Sequence, residues 1–195
     1  MLARHADVLT TVREEVASLV GLGVNARQPT RDDLKQMKYL NLVIKEALRL
    51  YPPVPVNQRA ATRTTTLPVG GGNDGQSPVL VRKGESVGYL VYAMHRREDI
   101  YGPDAKLFRP ERWQDDALKS VGYGYLPFGA GPRACLGQDF ALLETAYTIA
   151  RLIQRFPFVT LPDGETLEVG KEKQILTLVV SCAEGCRVRL SETVL

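Results

Sequence analysis

Phe128-Gly129-Ala130-Gly131-Pro132-Arg133-Ala134-Cys135-Leu136-Gly137 sets one cysteine in a glycine-rich turn directly ahead of an apolar, helix-forming stretch. Gly129 and Gly131 are free to take the positive-φ conformations of a tight loop, and Gly137 lets a flat ligand approach the backbone closely. Cys135 is expected at the helix start, where unsatisfied N–H groups and the positive dipole end stabilise an anionic sulfur. Arg133, two positions earlier, suits a carboxylate on the same ligand. A lone cysteine in a strand-to-helix turn is more often a buried, inert thiol. The ordered pattern around Cys135 argues for the thiolate instead.

Upstream, Glu46-Ala47-Leu48-Arg49 falls inside the apolar-periodic segment Lys38 to Leu50. Residues at i and i+3 share a helix face, so Glu46 and Arg49 point the same way. Their neighbours Val43, Ile44, Ala47 and Leu48 are apolar, which argues against a fully solvated face. The competing reading is an exposed ion pair, which contributes little. Phe108-Arg109-Pro110-Glu111-Arg112-Trp113 contains a proline and so is not a regular helix interior. On its own it reads as a surface loop with scattered charges.

The cysteine pattern, Phe-x-x-Gly-x-Arg-x-Cys-x-Gly followed by a helix, resembles the haem-binding loop of the cytochrome P-450 family of haem-thiolate monooxygenases. The resemblance implies a mainly α fold with small β-sheets, and assigns residues 1–195 to the C-terminal part of a cytochrome P-450 domain. It makes Cys135 the axial thiolate of a haem b iron, a ligand that pushes electron density onto iron and favours O–O cleavage. It implies that Phe128, Gly129, Arg133 and Gly137 surround the haem, and that Arg59 and Arg133 pair with its propionates. Glu46, Arg49 and Arg112 correspond to the family's buried Glu-Arg-Arg cluster, which holds the proximal side rigid. Val54 and Val56, in Pro53-Val54-Pro55-Val56-Asn57-Gln58-Arg59, are candidate substrate-pocket walls. The blander alternatives are a surface charge for Arg59 and ordinary core packing for the valines.

The run Tyr92 to Ala105 and the Gly-rich insert Leu67 to Pro78 look like the fungal branch that hydroxylates alkanes and fatty acids. The resemblance thus implies insertion of one oxygen atom of O2 into a C–H bond of a long aliphatic chain, with electrons from NADPH through a flavoprotein reductase. It implies the cytosolic face of the endoplasmic reticulum for a full-length form, with membrane association only through the N-terminal part. That part, with its oxygen-activating acidic-Thr helix, is expected to be missing here through a truncated or misplaced start at Met1. Gly164-Glu165-Thr166 follows Pro162-Asp163 in a turn-like stretch and is not that helix. The alternative is a non-catalytic remnant that holds haem loosely or only meets partners.

Composition raises no obstacle. The chain has 195 residues, 44% hydrophobic and 24% charged, enough for one core and not disordered by composition. A formal charge of +3 is too small to argue for nucleic acid. Three cysteines do not make a disulfide framework; Cys182 and Cys186 flank the expected hairpin turn Ala183-Glu184-Gly185 and are read as free thiols. A zinc or thiol-redox protein built on them would leave the cysteine loop unexplained, and no second His or Cys pair lies nearby. No apolar run reaches 18 residues, and nothing reads as a signal peptide.

Leu9, Val12, Val16 and Leu19/Val20 recur at helical spacing and stop at Gly21-Leu22-Gly23, with the acidic side of this first helix solvated. Thr30 reads as an N-cap with Asp32 and Asp33 in the first turn, opening the helical region that ends at Pro52-Pro53. Leu80-Val81 and Val87 to Tyr92 are expected strands, with a hairpin loop at Gly70 to Gly75. That loop lacks the Gly-Lys-Ser/Thr ending and following helix of a phosphate cradle. His95 is expected after a strand end as a hydrogen-bonded structural or haem-edge residue. Gln138 to Arg155 reads as a buried helix, apolar on most sides, and Ile175 to Cys182 with Arg187 to Leu190 as a terminal hairpin.

Overall fold

The computed structural model describes residues 1–165 and 170–193. Thr166, the last residue of the Gly-Glu-Thr triplet, lies outside them; Asp163 and Gly164 before it form a turn, with Gly164 at φ 77°. In chain order the main elements are α1 (Ala6–Val20), α2 (Arg31–Gln36), α3 (Lys38–Leu50), β1 (Asn57–Ala60), β2 (Thr65–Gly71), β3 (Ser77–Val81), β4 (Ser86–Tyr89), α4 (Val91–Met94), α5 (Glu98–Tyr101), α6 (Gln138–Arg155), β5 (Phe158–Thr160), β6 (Gln174–Leu176), β7 (Val180–Cys182) and β8 (Arg189–Ser191). The strands make four small antiparallel pairs, β1 with β4, β2 with β3, β5 with β8 and β6 with β7.

The principal core lies where α1, α3 and α6 meet. Val8, Leu9, Val12, Val16 and Val20 form the buried stripe of α1, the period expected of an amphipathic helix. It faces Leu40, Val43, Ile44 and Leu50 of α3 and Ala146, Ala150 and Ile153 of α6. Two alanines at i and i+4 let α6 approach closely. Gln154, almost wholly buried, donates to the carbonyls of Val20, Gly21 and Arg27, and so satisfies the end of α1 from α6.

Caps define the other helix ends. Thr30 and Asp33 form a reciprocal capping box on α2, and Arg27 grips the Asp33 carboxylate at 2.6 and 2.7 Å. That guanidinium, with the Thr30 hydroxyl and N–H, holds the Asp33 carboxyl far below the usual range. The expected helical region is broken at Met37 (φ −72°, ψ 72°), and α3 has no cap from its own sequence. Glu15 of α1 supplies it, accepting from the Tyr39 N–H at 2.8 Å and the Leu40 N–H at 2.9 Å. The acidic side of α1 is therefore not simply solvated.

Four further expectations are corrected. The strand expected over Val87 to Tyr92 ends at Tyr89, and Val91–Met94 turns helical, so His95 caps a short helix instead of following a strand. The terminal hairpin is β6 with β7; the chain after Cys186 pairs with β5 instead, because Leu190 meets Val159, which is buried in the core. Of α6 only Ala146, Ala150, Ile153 and Gln154 are buried, while Phe140 is 70% exposed, so its apolar residues exceed what α1 and α3 cover. Cys135 precedes the helix; Gly137 is the N-cap residue.

Glu46, Arg49 and Arg112 meet in one fully buried cluster. Arg49 donates to the Glu46 carboxylate through Nε (2.9 Å) and Nη2 (2.7 Å), and Arg112 through Nε (2.9 Å). The Arg109 N–H (3.0 Å) and Trp113 Nε1 (3.1 Å) complete the carboxylate's shell. The remaining guanidinium protons go to backbone: Arg49 to the carbonyls of His95, Ala105 and Leu107, Arg112 to those of Tyr101, Asp104 and Leu107. Asp104 Oδ1, 3.0 Å from Arg112 Nη1, is a fourth charge that balances the second arginine.

His95 carries this frame toward the cysteine loop. Its Nδ1 lies 3.0 Å from the Arg49 carbonyl, and its Nε2 accepts from the Leu126 N–H at 2.8 Å. A carbonyl only accepts and an N–H only donates, so the ring is neutral with its proton on Nδ1. Tyr125 stacks on it with centroids 5.3 Å apart and donates its hydroxyl to the Lys45 carbonyl. Burial pushes the His95 pKa down to about 4.

Glu46→Ala should lower stability by about 3 to 5 kcal/mol, because two buried guanidinium groups keep their desolvation penalty without their counter-charge. Denaturant titration checks this, and a loss below about 1 kcal/mol would contradict the network's role. The unfolded chain binds a proton at His95 near the ordinary imidazole value and the folded chain only near 4, so the unfolded state holds more protons between them. Stability from this residue is complete above the ordinary value and is lost as pH falls toward 4, at no more than about 1.4 kcal/mol per pH unit. His95→Gln should flatten that slope, leaving the parts due to His5, whose pKa burial also lowers, and to carboxyls held below their usual range such as Asp33 and Asp104; an unchanged slope would rule out the assignment.

Candidate functional site around Cys135

The loop from Leu126 to Gly137 is shaped by backbone bonds more than by side chains. The Gly129 N–H donates to the Leu126 carbonyl (3.2 Å), the Ala134 N–H to Gly131 (3.1 Å), and the Cys135 N–H returns to the Phe128 carbonyl at 2.9 Å. Gly129 (φ 70°) and Gly131 (φ 69°) occupy the left-handed region, which a side chain would strain. Pro132 sits in the short 3-10 turn Gly131–Arg133, where its fixed φ suits the geometry.

Cys135 is exposed and is a free thiol. Gly137 has an ordinary negative φ, so its value is not conformational: a Cβ there would stand 3.9 Å from Cys135 Sγ, in space that glycine keeps clear. The first turn of α6 has no side-chain cap, so its free N–H groups face the same end of the loop. Leu136, next to the cysteine, is an exposed apolar residue, and Phe128 is half-buried. An exposed sulfur with cleared space, apolar neighbours and an adjacent arginine fits a flat, largely apolar group with acidic substituents and an iron that accepts a thiolate.

Arg133 is exposed and has no protein partner among the described residues. Arg59 lies exposed on β1, where its guanidinium donates to Asn57 Oδ1 (2.9 Å) and the Gln58 carbonyl (2.7 Å) and lies 6.0 Å from the Tyr89 ring centroid. The structure therefore brings Glu46, Arg49 and Arg112 into contact, but leaves Arg59 hydrogen-bonded within its own strand. Val54 and Val56 are 37% and 50% exposed, which removes core packing as their explanation. Their segment is fixed by backbone: the Tyr92 N–H donates to the Pro55 carbonyl (3.0 Å) and the Val180 N–H to Pro53 (2.8 Å).

Sequence reading expected His95 to be a hydrogen-bonded structural residue but missed Tyr101 and Tyr125, which anchor the loop from behind with it. Tyr125, His95 and Tyr101 hold residues 124–126, the last by donating its hydroxyl to the Gly124 carbonyl at 2.7 Å. The available signal was the density of aromatic residues just before the loop, which no periodicity explains. Among the described residues no cluster of His, Cys, Asp and Glu is arranged to hold a metal ion alone, and no helix is long and apolar enough to cross a membrane.

Comparison with known proteins identifies the family of the chain. A protein from Arthroderma benhamiae called Cytochrome P-450 is 61% identical over 98% of the chain and 39% of its own length. Cytochrome P-450 52A5 of Candida maltosa is 48% identical over 97% of the chain and 36% of its own length. The retinoic acid-bound cyanobacterial CYP120A1 superposes with a TM-score of 0.77 at 33% identity, over 97% of this chain and 39% of that one. The chain thus spans about two fifths of the length of these relatives. The family model described as Cytochrome P-450 matches residues 1–181, and the chain belongs to the cytochrome P-450 family.

Proposed function

We propose that this chain carries the proximal haem site of a monooxygenase that hydroxylates long-chain alkanes or fatty acids. The observation that carries the reading is the exposed Cys135 sulfur in a glycine-built loop, with Gly137 clearing the space beside it. Haem bound there would supply dioxygen activation and insertion of one oxygen atom into a C–H bond, with electrons reaching it from NADPH through a flavoprotein reductase.

The chain's own residues then have separate tasks. Cys135 presents its sulfur as thiolate, fixed by its backbone bond to Phe128. Arg133 pairs with a haem carboxylate, and Arg59 does so after exchanging its contact with Asn57 for that stronger, charged one. Phe128 and Gly129 would help hold the haem beside the cysteine. Val54 and Val56 present apolar walls to an aliphatic chain, consistent with their exposure on a segment fixed by backbone bonds. Glu46, Arg49 and Arg112 keep the loop's support rigid and do no chemistry. The fatty-acid or alkane preference rests on kinship with the fungal relatives.

The test is the absorption spectrum of the haem-loaded chain, reduced and exposed to carbon monoxide. A strongly red-shifted Soret band is expected, lost in Cys135→Ala and intact in Cys182→Ala. Equal loss in both variants, or a band typical of neutral ligation in the unaltered chain, would refute Cys135 as the ligand.

A further inference from the structure

Cys182 ends β7 and Cys186 follows the reversal Ala183–Gly185; both are exposed, free thiols. The reversal is well determined. The Gly185 N–H donates to the Cys182 carbonyl at 3.2 Å, and Gly185 holds φ 75°, a conformation that suits glycine. The Ala183 N–H donates to the Lys173 carbonyl at 2.8 Å, and the Lys173 ammonium pairs with Glu184 at 2.8 Å. Two contacts with Lys173 and one bond within the turn fix the bend that separates the two cysteines. Burial, the Cys186 sulfur and the Glu172 carboxylate all push the Cys182 thiol up, which suits Cys182 to the resolving role and leaves the attack on peroxide to Cys186.

The position has a mechanical consequence. Val180, two residues before Cys182, donates its N–H to the Pro53 carbonyl at 2.8 Å, so the hairpin of β6 and β7 braces the exposed Val54 and Val56. A bond between Cys182 and Cys186 would close the bend that follows β7, and because the Ala183 N–H ties that bend to Lys173, just before β6, it would hold the open end of the hairpin.

We propose that Cys182 and Cys186 form a peroxide-responsive dithiol, which closes reversibly to an intramolecular disulfide and stiffens the hairpin against the Pro53–Val56 segment. One thiolate attacks a peroxide oxygen; the O–O bond breaks, hydroxide leaves, and a sulfenic acid forms. The second thiol attacks that sulfur, an S–S bond forms, the S–O bond breaks, and the departing hydroxide takes up the thiol proton as water. Two thiols lose two electrons together, and one hydrogen peroxide becomes two waters. A loop this short gains little chain entropy from its cross-link, which keeps the bond reducible by cellular thiols. The proposal does not depend on haem binding.

Trypsin releases both cysteines in one peptide, Gln174 to Arg187, while Cys135 falls in another, Ala134 to Arg151. The full chain, treated with stoichiometric hydrogen peroxide and alkylated without reduction, should yield the first peptide lighter by about 2 Da and unalkylated. Dithiothreitol should restore two alkylatable thiols. Cys182→Ser and Cys186→Ser should each abolish the mass loss. Backbone hydrogen exchange across Gln174 to Arg187 should slow several-fold on oxidation and recover on reduction. Sulfinic or sulfonic acids without the 2 Da loss, or a mixed disulfide with Cys135, would overturn the dithiol; a disulfide that leaves exchange unchanged would overturn the stiffening.

Discussion

The Glu46 carboxylate is the constraint from which the rest of the architecture follows. It is fully buried, and a bare carboxylate there would be prohibitively desolvated. Five donors surround it, from Arg49, Arg109, Arg112 and Trp113. Two of those residues carry buried guanidinium groups, whose remaining protons must also be satisfied. They find carbonyls of His95, Tyr101, Asp104, Ala105 and Leu107. One charge on α3 thereby fixes the path of an irregular segment from residue 95 to residue 113, which contains too little regular structure to fix itself.

Support passes from that segment to the cysteine loop through polar contacts and aromatic packing. His95 bridges the Arg49 carbonyl and the Leu126 N–H, and Tyr125 packs between His95 and Trp113 while reaching the Lys45 carbonyl. From the other side, α6 is held by Ala146, Ala150 and Ile153 in the core and by Gln154 at the end of α1. The loop is thus anchored before Phe128 and after Gly137, and its sulfur faces outward. Positioning and exposure are compatible because the anchors lie behind the loop.

Much of this was legible in the sequence where one residue type has one physical use. Glycines with an arginine and a cysteine at fixed spacing marked the loop, apolar residues at helical spacing marked α1, and Thr30 with Asp33 marked the start of α2. What escaped depends on partners distant in the chain. Glu15 caps a helix 24 residues away, a role that helical periodicity does not encode. Leu190 leaves the apparent hairpin because Val159 offers a buried face, which only tertiary packing reveals. Asp104 was recoverable by charge counting: Glu46 alone cannot neutralise two buried arginines. Val91 and Tyr92 were read as the end of the strand from Val87 because valine and tyrosine favour β structure, but two such residues carry little propensity against local contacts.

The two ends of this support differ in how they respond to substitution, and the reason is physical. In the Glu46 cluster, geometry is carried by side chains in a medium without water, so each member is needed to offset the desolvation of the others. In the cysteine loop, geometry is carried by the backbone: the Cys135 N–H to Phe128 bond and the positive φ of Gly129 and Gly131 persist whatever side chain stands at position 135. Replacing the exposed Cys135 thiol therefore removes chemistry and little structure, whereas replacing a buried cluster member removes structure directly. The exposed thiol sits where loss of its side chain is tolerated by the fold, and the fold's least replaceable charges are fully buried away from it.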